Sequence, residues 1–184
     1  MPNWCYNVVK LSIPSKVKMD DLLLAIKDNK LFEKFVPLGL GFDENGEPLW
    51  KMGTAIEKWG TKWEPDSLVI LNEGTIYERG NFIVELSFDT AWAPPIGFYE
   101  TMWGVHGISV DAKFYESNEE VFGLCTYNSN FTKNTHYNYP RNKRQLDEIR
   151  EIITINGDLD NFMESEWENL QERWQECNSE DSFE

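Results

Sequence analysis

A short run of the chain, Trp59-Gly60-Thr61-Lys62-Trp63, carries two large aromatic rings and one ammonium group within five residues. In a helical turn the two rings would share one face, whereas in a loop they could clamp a flat ligand while Lys62 neutralises an anion. The simpler interpretation is packing, because large rings anchor loop-rich segments. The alternative hypothesis is a small-ligand module, such as one that sequesters a nucleotide signal. Its predicted ligand-binding residues are Trp59, Lys62, Trp63, Asp89 and Trp92.

Asp89 and Thr90 follow a run of alternating apolar residues and precede Pro94 and Pro95. Proline is tolerated in the first turn of a helix, and a carboxylate at that place can accept hydrogen bonds from the free helix amides. We therefore expect Asp89 and Thr90 to form a helix cap or a turn. We assign Asp89 no catalytic role.

Side chains that could perform catalysis are few and dispersed. His106 lies in a predicted turn and His136 in an asparagine-rich segment, and neither has a partner at triad-like or metal-ligand spacing. Cys5 and Cys125 fall within predicted strands, where a free cysteine usually acts as a small buried hydrophobe. The sequence contains no glycine-rich phosphate loop and no zinc-hydrolase motif. It therefore predicts a non-enzymatic protein without catalytic residues, metal or cofactor.

The C-terminal segment 158–184 contains ten acidic residues and one basic residue, so it carries −9 of the formal charge of −15. Its apolar residues recur at helical spacing, which places Trp167 and Trp174 on one face of a predicted helix. This face can dock on the chain's own domain or on a basic partner, and the spaced carboxylates could also imitate DNA phosphates. The predicted partner-binding residues are Trp167, Trp174, Glu164, Glu168 and Glu172.

The composition excludes several classes of function. The chain has 184 residues, with 17 Lys and Arg against 32 Asp and Glu, and this balance disfavours direct binding to nucleic acid or to an anionic membrane. With 41% hydrophobic residues it has enough apolar material for a packed core. The N-terminus lacks the pattern of a secretion signal, and no apolar run approaches the length of about 18 residues that spans a membrane. We expect a cytoplasmic protein.

Regular elements are predicted from periodicity and from Gly and Pro breaks. The β-branched, aromatic and alternating segments predict strands at 4–13, 67–77, 81–89, 108–114 and 121–127. One helix is predicted to begin near Asp20 and Asp21, as acidic first-turn residues, and to continue to Pro37. A second helix is predicted from Pro94 to Gly104.

The order of these elements predicts an α+β fold, a ferredoxin-like βαββαβ sandwich with an antiparallel sheet. Residues 37–66, which are rich in Trp and Gly, are predicted to form an ordered insertion after the first helix. A loop at 128–141 and a C-terminal helical extension follow. The predicted domains are therefore 1–127, including the insertion, and 128–184 with its acidic helices.

Three motifs occur in order along residues 1–127. They are Met1-Pro2-Asn3-Trp4-Cys5 with Asn7, then Trp59-Gly60-Thr61-Lys62-Trp63, and then Phe88-Asp89-Thr90-Ala91-Trp92-Ala93-Pro94-Pro95. Together they resemble the Api92-like (YubB-like) proteins of phages and conjugative plasmids. The resemblance implies a ferredoxin-like domain and an origin in a mobile element, but no established activity and no catalytic residues.

We therefore expect a non-enzymatic phage or plasmid accessory protein that binds and inhibits a host factor. It would act through an acidic aromatic surface. Its role would be counter-defence, of the anti-restriction or anti-CRISPR type. The expected partner is a host protein, such as a basic nucleic-acid-binding defence protein, in the host-cell cytoplasm. The alternative is the small-ligand module built around Trp59 and Trp63.

Overall fold

The structure is a computed structural model, and it describes residues 3–76, 80–116, 121–130 and 132–138, without the side chains of 75, 76, 121 and 135–138. The chain divides into two compact units, 1–136 and 137–184. The predicted C-terminal helices, with Trp167, Trp174, Glu164, Glu168 and Glu172, lie outside the described residues.

Strands and helices alternate in a mixed α+β arrangement. In chain order the elements are β1 (Trp4–Ile13), α1 (Lys16–Lys27), α2 (Leu31–Phe35), α3 (Met52–Trp59), β2 (Asp66–Ile76), β3 (Phe82–Ala91), α4 (Ile96–Gly104), β4 (Ser109–Glu116), β5 (Val121–Tyr127) and β6 (Thr132–Asn138). The six strands form one antiparallel sheet in the order β2-β3-β1-β4-β5-β6. The predicted α+β class and antiparallel sheet are confirmed.

The core lies between one face of the sheet and the helices. Alternate residues of β1 point to opposite faces, so Cys5, Val9, Leu11 and Ile13 are buried while Trp4 and Tyr6 are exposed on the other face. The buried β1 residues join one apolar cluster with the inner faces of α1 and α4, formed by Met19, Leu22, Ala25, Phe98, Tyr99 and Met102. The inner face of β1 is therefore part of the core. On its outer face, the side chains near Trp4 are exposed and can contact other molecules.

The helical prediction for residues 20–37 is wrong in two respects. The first helix begins at Lys16, because the Ser15 hydroxyl accepts a hydrogen bond from the Lys18 amide and caps the helix. Asp20 therefore lies beyond the first turn. The chain then leaves the helix at Asn29, which has a left-handed φ of 54°, and a separate helix, α2, starts at Leu31.

Two further elements depart from the predictions. The insertion contains helix α3, which ends at Gly60 in the left-handed conformation, with φ 87°. Within the predicted loop 128–141, residues 132–138 form β6 at one edge of the sheet, since pairing beside β5 outweighs a polar composition that disfavours strands. The strands β1 to β5 agree with their predicted positions to within about three residues at either end.

Strand β2 lies at the other edge of the sheet and is irregular. Its pairing with β3 shifts register three times, between Asp66 and Val69, between Ile70 and Asn72, and between Glu73 and Thr75. Among the helices described, none is both long and apolar enough to cross a bilayer.

Candidate functional site

The three sequence motifs meet at one end of the sheet. In the β1–β3 ladder Trp4 pairs with Ala91, and just beyond the ladder the Trp92 amide donates a 2.8 Å hydrogen bond to the Asn3 carbonyl. The Thr61 hydroxyl donates to the Ala91 carbonyl, also at 2.8 Å, and brings the second motif to the same place. Segments about 30 and 90 residues apart in sequence thus form one local structure.

A buried polar network fixes this end of the sheet from the inside. The Tyr99 hydroxyl donates to Asn7 Oδ1 at 3.1 Å, and Asn7 Nδ2 donates to Thr90 Oγ1 at 2.9 Å. Thr90 Oγ1 in turn donates to the Ala93 carbonyl at 2.8 Å. All three side chains are fully buried, so each needs these partners to offset its desolvation. Thr90 is itself a residue of β3, and its hydroxyl group holds the segment that follows the strand through the Ala93 carbonyl.

Asp89 does not serve as the predicted helix cap. The N-cap of α4 is Pro95, and no side chain accepts a hydrogen bond there. Asp89 lies on the face of the sheet away from the helices, paired with Tyr6 on β1 and with Asp66 on β2. A cap at this helix was expected because sequence proximity suggested it, but alternation along β3 turns the Asp89 side chain to the opposite face.

Two glycines bring α3 and α4 together backbone to backbone. A Cβ atom on Gly97 would lie 2.3 Å from the Lys58 carbonyl oxygen, and one on Gly60 would lie 2.8 Å from the Ile96 nitrogen. Gly60 also needs its left-handed φ, which costs glycine nothing. This close contact sets where the chain emerges from α3, and thus where Lys62 and Trp63 lie relative to Trp92.

The two tryptophans of the second motif have different environments. Trp59 is 2% exposed, packs against Phe32 with the two rings tilted by 56°, and donates from Nε1 to the Val36 carbonyl at 2.7 Å. Trp63 is 37% exposed, and the Lys62 ammonium lies 4.0 Å from its ring centroid. The same ammonium is 5.0 Å from the ring centroid of Trp92. Lys62 therefore makes cation–π contacts with rings from two motifs.

Four exposed indole rings lie in this region, and we call them the tryptophan surface: Trp4, Trp50, Trp63 and Trp92. Each is between 36% and 47% exposed. Trp50 belongs to the insertion, and its Nε1 donates to the Lys62 carbonyl at 3.0 Å. Trp92 has a φ of 74°, a conformation that costs a bulky residue energy. The backbone thus holds a large ring at the surface despite local strain.

A cavity of about 410 Å³ opens beside these rings. Its lining consists of Trp4, Asn29, Trp50, Trp59, Trp63, Glu64, Pro65 and Asp66. Four tryptophans and two carboxylates therefore surround a space within the size range of small-ligand sites.

The two carboxylates make the cavity acidic. The Glu64 oxygens accept hydrogen bonds from the amides of Phe32 and Glu33, both at 2.7 Å, and so cap the N-terminus of α2. Burial raises the pKa of Glu64 to about 7, and the two amide hydrogen bonds oppose this shift. On β3, burial and the nearby charge of Asp66 raise the pKa of Asp89, which pairs with Asp66 across the strands.

The predicted ligand-binding residues are only partly brought together. Lys62 contacts both Trp63 and Trp92, whereas Trp59 is a core residue that also lines the cavity. Asp89 is adjacent through its pairing with Asp66. Six lining residues were missed: Trp4, Asn29, Trp50, Glu64, Pro65 and Asp66. The alternation of β1 already placed Trp4 opposite the core residue Cys5, and that signal was available in the sequence.

The residues considered for catalysis occupy structural positions. His106 Nε2 lies 2.8 Å from the Phe35 carbonyl oxygen, and its ring packs edge-on against Phe35. Cys5 and Cys125 are buried, which raises the pKa of both thiols, that of Cys125 to about 12. In the part of the chain that the structure describes, no group of three His, Cys, Asp or Glu residues could hold a metal. The His136 side chain and Cys177 lie outside that part.

A scan against protein-family models and searches of curated proteins and of solved structures find no match for this chain. The resemblance to Api92-like proteins therefore remains a prediction that depends on the three motifs. The meeting of those motifs at one end of the sheet is an independent observation, because it follows from the geometry of this chain alone.

Proposed function

We propose that this chain is a non-enzymatic binding protein that inhibits a host factor, and that the tryptophan surface contributes to the binding. The observation that supports this most is the exposure of four neighbouring indole rings, three of which, Trp4, Trp50 and Trp63, line one cavity. Large aromatic side chains dominate the energetics of protein interfaces, and a cluster that remains exposed marks an interaction site. The strained backbone of Trp92 adds support, since strain is retained where the surrounding structure imposes it and concentrates at functional sites.

We also propose that the first unit has a ferredoxin-like fold. Its first four strands lie in the order β2-β3-β1-β4, with α1 following β1 and α4 connecting β3 to β4. A split βαβ arrangement of this kind, with antiparallel neighbours, is what the predicted βαββαβ sandwich requires. In this proposal α2 and α3 belong to the insertion region, and β5 and β6 extend the sheet beyond β4.

The proposed partner is a basic host protein, such as a nucleic-acid-binding defence protein of the restriction or CRISPR type. A formal charge of −15 steers a basic partner toward the chain and repels an acidic one. The phage or plasmid context comes from the sequence motifs alone. The acidic segment 158–184 remains a second proposed contact surface on the basis of its sequence.

A nucleotide-binding module remains the alternative. The contacts of Lys62 with Trp63 and Trp92 favour it, since indole rings stack on bases and an ammonium attracts a phosphate. The carboxylates of Glu64 and Asp66 in the cavity oppose it, because they repel phosphate. We therefore place this alternative second.

Affinity capture from host lysate tests the leading proposal. We expect the full-length protein to retain a specific partner at low salt and to lose it progressively as salt screens the charges. A Trp63→Ala/Trp92→Ala double variant should lose the partner, whereas Phe42→Ala should not, because Phe42 is an exposed aromatic residue outside the tryptophan surface. Equal capture by the double variant and the wild type would contradict the role of this surface.

Two further measurements separate the rival proposals. If Trp167→Ala/Trp174→Ala abolishes capture while Trp63→Ala/Trp92→Ala does not, the acidic segment is the contact surface. If a nucleotide raises the melting temperature in a concentration-dependent manner and Lys62→Met removes that effect, the alternative is correct.

A further inference from the structure

We propose that the cavity beside Trp63 binds the cationic side chain of a lysine or arginine residue presented by a protein partner. This inference rests on the proposed function, because it specifies what that partner inserts. The cavity combines the two features that recognise an organic cation, namely aromatic rings and carboxylates.

The rings provide the first feature. The face of an indole ring carries partial negative charge, and a cation within about 6 Å of the ring centroid is attracted to it. Four such rings line the cavity: Trp4, Trp50, Trp59 and Trp63. One of these rings already has an ammonium group against it, since Lys62 Nζ lies 4.0 Å from the Trp63 centroid.

The charges provide the second feature. Glu64 and Asp66 are the two ionisable residues of the lining, and both are acidic. The lining residues, all within the described ranges, include no lysine or arginine. Lys30, which precedes α2 and attracts the Glu64 carboxylate, is itself paired with Glu47. A cation that enters the cavity would therefore be attracted by two acidic residues that no lysine or arginine of the lining neutralises.

Other ligand classes fit the cavity less well. An anion would be repelled by the Asp66 carboxylate, and also by the half-buried Glu64 whenever that group is ionised. A neutral apolar side chain would gain from the rings but would desolvate the Asp66 carboxylate without compensation. The combination of rings and carboxylates thus favours a cation over both.

Small probes of matched shape test this inference directly. The indole Nε1–H signals of the full-length protein are followed by two-dimensional NMR during titration with the N-acetyl amides of lysine, arginine, norleucine and glutamate. Lysine and arginine should cause saturable shifts at the Trp50 and Trp63 indoles, and norleucine, which lacks the ammonium, should bind about 10-fold more weakly. Glutamate should give no saturable shift.

Matched variants locate the effect. Asp66→Asn should weaken binding of the lysine probe about 3-fold or more, whereas Glu57→Gln, an exposed acid on α3, should leave it unchanged. Trp63→Ala should abolish binding of the lysine probe, while the melting temperature of this variant stays near that of the wild type. If Trp63→Ala does not fold, Asp66→Asn and the norleucine comparison still decide the result.

The outcomes separate the two proposals. Norleucine binding as tightly as lysine, or glutamate binding better than either, would overturn the cation inference whatever the lysate experiment finds. Selective binding of lysine or arginine together with no specific capture from lysate would support the cation site and count against the proposed inhibition of a host factor.

Discussion

Strand β1 carries two kinds of residue at the end where the motifs meet, one on each face. On the inner face Asn7 is fully buried and its amide group is satisfied by Thr90 and Tyr99. On the outer face Trp4 and Tyr6 are exposed, and Trp4 lines the cavity. Residues of the same motif thus serve stability on one face and remain free for binding on the other. A motif is therefore not a list of functional residues, since burial decides the role of each member.

The largest contrast should come from the two tryptophans of the second motif. Trp59→Ala removes a buried ring and its hydrogen bond to Val36, and should cost about 3–5 kcal/mol of unfolding free energy. Trp63→Ala removes an exposed ring and should cost under about 1 kcal/mol. Urea denaturation measures both. Equal costs would show that Trp63 is also structural.

The next effect concerns the glycines at the second position of two helices. Gly97→Ala places a Cβ against the Lys58 carbonyl and should cost about 3 kcal/mol, because the backbones of α3 and α4 must separate. Gly53→Ala on α3 meets open space and should gain about 0.5 kcal/mol through helix propensity. Thermal denaturation of the pair provides the test, and a neutral Gly97→Ala would contradict the close packing.

Removing one hydroxyl on each side of the sheet gives a smaller effect. Tyr99→Phe leaves the buried Asn7 Oδ1 without its donor and should cost about 1–2 kcal/mol. Tyr6→Phe, on the outer face, should change stability by less than about 0.5 kcal/mol. Urea denaturation of both variants distinguishes the faces. A loss at Tyr6 as large as that at Tyr99 would mean that both faces are structural.

The last prediction is a pH dependence at Glu64. Its pKa of about 7 in the folded protein exceeds the value of 4.5 expected for the unfolded chain, so the folded state binds the proton more tightly. The contribution of this group to stability is therefore fully present below pH 4.5 and is lost as pH rises toward 7. Glu64→Gln should lose less stability than the wild type between pH 5 and 7. Parallel pH profiles of the two proteins would contradict the shift.

Much of the sheet could be predicted from the sequence, because alternation is a local signal. The strands from Trp4 to Tyr127 show a two-residue period or β-branched runs, and α4 follows its proline pair as expected. Strand β6 could not be predicted, since its polar sequence becomes a strand only through pairing at the sheet edge. Helix α3 could not be predicted either, because the Gly and Pro residues of the insertion suggest breaks throughout it.

The site was predictable only in part, for a different reason. The spacing of Lys62 and Trp63 suggested a ring and a cation side by side, and Trp92 joins them across about 30 residues of sequence. Glu64 and Asp66 gave no such signal, because their role depends on the fold of α2 and on the pairing of β2 with β3. Contacts between distant segments require the fold before they can be recognised.

The irregular strand β2 has a consequence for how copies of this protein meet at high concentration. Val69, Ile70 and Leu71 of this strand are exposed. If the strand were regular, these residues would favour pairing with a strand of another molecule, which is how a fibril can begin. Three register shifts interrupt the row of backbone donors and acceptors that such recruitment needs. We therefore expect the distortions of β2 to disfavour aggregation, and a redesign that straightens this strand should increase it.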